Sequence, residues 1–221
     1  METNDPNLTF GRFIAEVAGR HADRAAIHFE ARTITYRELE ARSRRLARAL
    51  VGAGVVKGAR VAVHMANRPE WAEAAFAVGM IGAVLVPVNT FASREEFDFI
   101  MRHSDASLLL MQPALLNHAF LDDLVAGHPE IEGGTPGRLR CASLPQLRGV
   151  ACLGIDANRG GVMAWDNFLA LGDEVSDDLI DALCDQVEPS DDALIIYTSG
   201  TTSRPKGVVH MQRAGVLQGW R

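Results

Sequence analysis

The stretch Tyr197-Thr-Ser-Gly-Thr-Thr-Ser-Arg-Pro-Lys-Gly-Val-Val209 holds the residues best suited to chemistry in this chain. Thr198, Ser199, Thr201, Thr202 and Ser203 surround Gly200, and Lys206 follows between Pro205 and Gly207. Hydroxyls and successive backbone N–H groups wrap an anion, and a glycine lets the backbone approach it closely. A lysine ammonium adds a mobile point charge, which suits the terminal phosphates of a nucleotide. The chain has two lysines, Lys57 and Lys206, against twenty arginines, so an ammonium at this position supports a specific role. The loop is not a Walker A motif. Counted from Gly200, the second glycine of G-x-x-x-x-G-K-[ST] would fall on Pro205 and the final hydroxyl on Gly207.

The elements around this loop must hold it in place. Ala193-Leu-Ile-Ile-Tyr197 leads in as a buried strand, and Val208-Val209 leads out in a second one. Upstream, Phe10, Phe13, Ile14 and Val17 mark one face of a helix, with Thr9 as its cap. Ala25–Phe29 and Thr33–Thr35 read as short strands. Thr35 and Glu38 form a capping box for a helix with Tyr36, Leu39, Leu46, Ala47 and Leu50 on its inner face. Arg42, Arg44, Arg45 and Arg48 read as its solvated face.

Arg60–Met65, Ala83–Val88 and Ala106–Met111 are strand-like. Between and after them come helical patterns from Glu70 to about Ile81, around Phe97, Ile100 and Met101 behind a Ser93/Glu96 cap, and from Pro113 to Ala126. This alternation predicts an α/β fold with a mostly parallel layered sheet and flanking helices. From 127 to 161 Pro and Gly break the pattern into a long irregular connection, with a strand only at Leu147–Gly154. A short helix is expected over Met163–Leu171. The acidic stretch Asp173–Asp192 reads as a solvated helix and linker. The division expected is an α/β lobe over 1–190, then strand, loop and the start of a helix over 191–221.

Composition narrows the partners. Hydrophobic content is 48%, charged content 23% and net charge −6, which places the chain among ordinary globular proteins. No basic run exceeds Arg44-Arg45, which argues against nucleic acid. The acidic first residues lack the basic start and apolar core of a secretory signal. The apolar stretch Ala74–Val88 contains Pro87 and is too short to span a bilayer. Cys141, Cys152 and Cys184 have no metal-ligand spacing, and their odd count fits a reducing, cytoplasmic compartment.

Thr198-Ser-Gly-Thr-Thr-Ser-Arg-Pro-Lys-Gly207 resembles the signature loop of the adenylate-forming superfamily, which includes acyl-CoA synthetases, luciferases and adenylation domains. Thr35-Tyr-Arg-Glu-Leu-Glu40, Arg60-Val-Ala-Val63 and Gly79–Asn89 resemble that family's N-terminal region in kind and order. Ser203 departs from the family's usual glycine, and Ser203-Arg204 resembles the variant in crotonobetaine/carnitine-CoA and some fatty acyl-CoA ligases. Gln212 stands where the family often has histidine.

The resemblance implies ATP, Mg2+ and coenzyme A as cofactors and a carboxylic acid as substrate. It places Thr198, Ser199, Gly200, Thr201, Thr202, Ser203 and Lys206 on the β- and γ-phosphates, with Lys206 as the catalytic charge and Thr201 or Thr202 near the metal. It also implies that the adenine, ribose and acyl sites, a magnesium-holding glutamate and a C-terminal catalytic domain lie beyond residue 221. The chain is then expected to be the N-terminal portion of a ligase, inactive alone and prone to self-association. The alternative is a truncated, non-catalytic module that binds a nucleotide or a partner. His28 and His64 read as packed or surface histidines on strands, His210 as following the loop without a place on the nucleotide, Cys152 and Cys184 as buried or inert thiols, and Asp191-Asp192 as a turn rather than a metal site.

Overall fold

The computed structural model describes residues 8–198 and 204–219. Helix α1 (Phe10–His21) leads into a separate antiparallel hairpin, β1 (Ala25–Phe29) and β2 (Arg32–Thr35). Then come α2 (Tyr36–Gly52), β3 (Arg60–His64), α3 (Pro69–Met80), β4 (Val84–Pro87), α4 (Arg94–His103) and β5 (Leu108–Met111). They are followed by α5 (Phe120–Gly127), the single turn α6 (Pro129–Glu132), β6 (Gly149–Cys152), β7 (Val162–Ala164), α7 (Trp165–Ala170) and α8 (Asp177–Asp185). The hairpin β8 (Asp192–Thr198) and β9 (Lys206–Met211) runs into α9 (Gln212–Gly219).

Seven strands form one sheet in the order β7-β6-β5-β3-β4-β8-β9, parallel except for β9 against β8. The chain steps from β3 to β4, then back across β3 to β5. Right-handed crossovers therefore send α3 and α4 to opposite faces. Strand residues alternate between the two cores accordingly. Val61, Val63, Leu85 and Leu110 meet α1, α2, α3 and α7, while Ala62, Val86, Leu109 and Met111 meet α4 and α5. Burial on both sides explains the unbroken apolar runs in the sequence. Gly82, at φ +69, lets α3 end in a Schellman motif: Ala83 N donates to Val78 O and Gly82 N to Gly79 O.

The α/β class and the mostly parallel sheet agree with the sequence reading, and several local expectations change. Thr9 is not a side-chain cap; its hydroxyl is buried without a partner. The amide of Phe10 instead donates to Oε1 of Gln212 at 3.0 Å, and Gln212 Nε2 donates to Gly79 O at 3.2 Å. The cap of the first helix thus comes from the last one. Thr35 and Glu38 do form a full capping box. The helix expected from Pro113 begins only at Phe120, because Leu116 takes φ +54 in a turn closed by Leu115 and His118. Met163 and Ala164, expected to be helical, belong to β7.

Both the arginine face of α2 and the acidic stretch stay largely solvated, with Arg42 and Arg45 exposed, but two of the α2 arginines also pair with the acidic stretch. Arg44 reaches Asp181 at 2.6 Å and Arg48 reaches Asp177 at 3.6 Å. The irregular 127–148 segment is anchored by buried Ile131, Leu139, Cys141, Leu144 and Leu147. All three thiols are free, and burial pushes Cys152 up to about 12 and Cys184 in the same direction.

Gln212 is fully buried, and its amide satisfies a donor and an acceptor on two other helices. Gln212→Ala leaves both without partners. A loss of about 2–3 kcal/mol of unfolding free energy is expected, since each stranded group costs about 1–3 kcal/mol. Urea denaturation measures this, and a loss below about 0.5 kcal/mol would show that the bridge carries no stability.

Candidate phosphate-loop site

Strands β8 and β9 pair from Asp192↔Met211 to Thr198↔Lys206, so these last two residues face each other where the connecting loop leaves the sheet. Ser199, Gly200, Thr201, Thr202 and Ser203 lie outside the described residues. Thr198 and Lys206 are both exposed, and Lys206 makes no ion pair among the described residues. The other lysine is fully engaged: Lys57 Nζ lies 2.6 Å from Asp191 Oδ2 and 2.8 Å from Gln186 O. Asp191 also accepts from Glu188 N, so it is a braced turn. Of the chain's two lysines, Lys57 is engaged in structure, and Lys206 at the mouth of the loop makes no ion pair among the described residues.

Helix α4 supports the two stems of the hairpin. Tyr197, the last residue before the predicted loop, shares a 2.8 Å hydrogen bond between its hydroxyl and Nδ1 of His103. Burial, then the nearby Asp105 carboxylate, push the Tyr197 phenol above its ordinary range and keep it protonated. His103 stacks on Phe99 at 5.1 Å, and the Tyr197 ring meets Phe99 edge-on at 6.4 Å. On the outgoing side the Arg204 guanidinium lies 5.6 Å over the Phe99 ring. Gly207, opposite Tyr197, sits in close quarters: a Cβ there would stand 3.0 Å from Ile195 Cγ2 and 3.3 Å from Tyr197 Cζ, so those side chains would have to give by a few tenths of an ångström.

A cavity of about 260 Å³ lies beyond the carboxyl end of β3, lined by His64, Phe97, Asp98, His118, Phe120 and His128 among others. His64 is buried against Phe120 (4.2 Å) and Phe97 (5.3 Å), and burial lowers its imidazole to about 4 despite a hydrogen bond to the Asn89 backbone. His128, 2% exposed, bonds Asp98 Oδ1 at 2.8 Å and Ser143 Oγ at 2.6 Å. These spacings are those of a nucleophile–base–acid relay. The cavity, however, is lined by His128 and Asp98 and not by Ser143, so a substrate there would not meet the hydroxyl. The chain of bonds acts as a brace tying the 127–148 segment to α4. Sequence reasoning missed it, because residues 98, 128 and 143 share no local pattern.

Among the described residues no group of three or more His, Cys, Asp or Glu is arranged to hold a metal ion. Thr201 and Thr202, the expected neighbours of the metal, fall outside those residues. No helix among the described residues is long and apolar enough to cross a membrane.

The chain is 35% identical over 192 residues to a Rhodococcus jostii CoA ligase for a methyl-dioxo-octahydroindenyl propanoyl group, covering 85% of this chain and 35% of that protein. It is 30% identical over 218 residues to the crotonobetaine/carnitine–CoA ligase of Salmonella arizonae, covering 93% and 38%. It therefore spans little more than a third of the length of these relatives. The crystal structure of the anthranilate CoA ligase AuaEII with anthranoyl-AMP superposes with a TM-score of 0.74 at 22% identity, over 96% of this chain and 36% of that one. That likeness shows the fold. The sequence model described as AMP-binding enzyme matches residues 14–219, nearly the whole chain, and the chain belongs to the AMP-binding enzyme family.

Proposed function

We propose that this chain is the ATP-handling N-terminal part of an AMP-forming acid–thiol ligase. In the first half-reaction a carboxylate oxygen attacks the α-phosphorus of ATP and pyrophosphate leaves, giving an acyl-adenylate. In the second the thiol sulfur of coenzyme A attacks the acyl carbon, losing its proton, and AMP leaves. The observation that carries this reading is the exposed Lys206 ammonium, without an ion pair among the described residues, opposite Thr198 at the loop mouth, in a chain of this family. Charge builds on the β- and γ-phosphates as pyrophosphate departs, and a fixed ammonium with N–H and hydroxyl donors stabilises it.

Thr198 and Lys206 flank the phosphates in this reading, and Ser199, Gly200, Thr201, Thr202 and Ser203 line the loop between them. Magnesium, when bound, would arrive chelated by the phosphates and add neutralising charge there. Residues 1–190 form the supporting lobe, and 191–221 carry the loop and its stems. The Ser203-Arg204 variant favours a small or medium carboxylic acid. The free buried thiols fit a cytoplasmic setting. The test is carboxylate-dependent exchange of labelled pyrophosphate into ATP, run on the protein from its source cells with acyl, aryl and carnitine-like acids. Exchange with at least one acid is expected; silence across the panel ends this reading.

The β9 edge favours a second reading, a module that associates with a partner or with itself. β9 closes the sheet with no further strand beside it among the described residues, and Ile196, Val208, Val209 and Met211 are exposed there. An apolar open edge invites pairing. Sedimentation should then show concentration-dependent oligomers, whereas a monomer at every concentration removes this reading.

A further inference from the structure

The two ends of the phosphate loop converge on one pair of side chains. Phe99 and His103 lie four residues apart on α4 and so share one face of that helix. Phe99 is half-buried and packs, with Tyr197, on the margin of the core cluster that holds Phe97, Ile100 and Met101, whereas His103 is exposed. Ser93 caps the helix by accepting from Glu96 N at 3.2 Å, so the platform is fixed at its start as well as along its buried side. Tyr197 enters the loop held by His103 and ringed by Phe99, and Arg204 leaves it stacked over the same Phe99 ring.

We propose that Phe99 and His103 are positioning residues: by clamping both stems to α4 they set the geometry in which the loop grips phosphate. This rests on the phosphate-loop reading above and adds the residues that hold the loop in shape. The physical reason is preorganisation. Between Tyr197 and Arg204 the loop must present several N–H groups and hydroxyls to one anion. Each backbone residue ordered at the moment of binding subtracts from affinity. Tying the ends down in advance removes part of that cost. Neither Phe99 nor His103 needs to touch the ligand.

The experiment is calorimetric binding of magnesium pyrophosphate to the whole 221-residue chain and its variants, with the denaturation midpoint of each. His103→Ala is expected to weaken binding about 3–10-fold with little change in midpoint, and Phe99→Ala to weaken it similarly while also lowering the midpoint, since Phe99 packs on the core. Tyr197→Phe keeps the ring over Gly207 and removes only the hydroxyl. It should weaken binding like His103→Ala, and the double variant should be no weaker than either single one. His103→Gln, which still offers an acceptor to the phenol, should restore much of the affinity. If the wild type binds and every variant binds equally well, the clamp is overturned while the phosphate reading stands. If neither the wild type nor Lys206→Ala binds, the phosphate reading falls and the clamp falls with it.

Discussion

Lys206→Ala is expected to lower carboxylate-dependent pyrophosphate exchange by about 10²-fold or more, the scale on which removing one preorganised charge-stabilising donor acts. The chain offers few substitutes. Lys57 is tied into Asp191 and Gln186, and Arg204 is stacked on Phe99. Lys206 is exposed and has no ion pair among the described residues, so its loss should change the unfolding free energy by no more than about 0.5 kcal/mol. Lys206→Arg should recover only part of the activity, because a planar guanidinium cannot place its charge as a compact ammonium does. Exchange assays on the three proteins from one expression host decide the matter. Wild-type rates in Lys206→Ala would remove the lysine from the chemistry.

The second large effect is on stability. His64 lies between Phe97 and Phe120, and burial holds its imidazole near 4 against an ordinary 6.5. Between those values the unfolded chain takes up a proton that the folded chain refuses, so unfolding is favoured as the pH falls. The contribution of His64 is fully present above 6.5, is lost progressively below it, and has gone by about 4. The total is about 3 kcal/mol, from the difference of the two values at 1.36 kcal/mol per unit. Glu73 acts in the opposite sense. Burial first, then Glu70, raise its carboxyl, so it gains a proton in the folded state as the acid range is entered. A comparison with His64→Gln cancels that contribution, which both proteins share. Urea melts at pH 7 and pH 4.5 should show the wild type losing about 2–3 kcal/mol more than the variant. Equal losses would mean that His64 takes up its proton in the folded state as readily as in the unfolded one.

What the sequence revealed followed the range of the forces involved. Strand β3, helix α3 and strand β4 are written in local apolar patterns, and the Thr35/Glu38 box is complete within four residues. The stretch 198–207 pointed to the family because its residue types are adjacent, and the family model that matches residues 14–219 agrees. Long-range pairs were not. Gln212 caps a helix some two hundred residues away, and Arg44 and Arg48 find Asp181 and Asp177 only once α2 and α8 pack together. Read alone, each of those charged runs looks like a surface facing water. β7 was hidden because its three residues, Val162, Met163 and Ala164, are too few to display an alternation. The Tyr197–His103 bond likewise joins a strand to a helix with nothing in either segment to announce the other.

The strand order has a consequence for how the protein comes into being. β8 joins the sheet through Leu194 beside Leu85, a pairing that spans nearly half the chain. β3, β4, β5, β6 and β7 are already neighbours without it. Chains emerge from the ribosome N-terminus first, and contacts distant in sequence form slowly. The five-stranded lobe can therefore assemble during synthesis while the hairpin is still inside the exit tunnel. In that order the β8–β9 hairpin is mounted on a five-stranded platform already built.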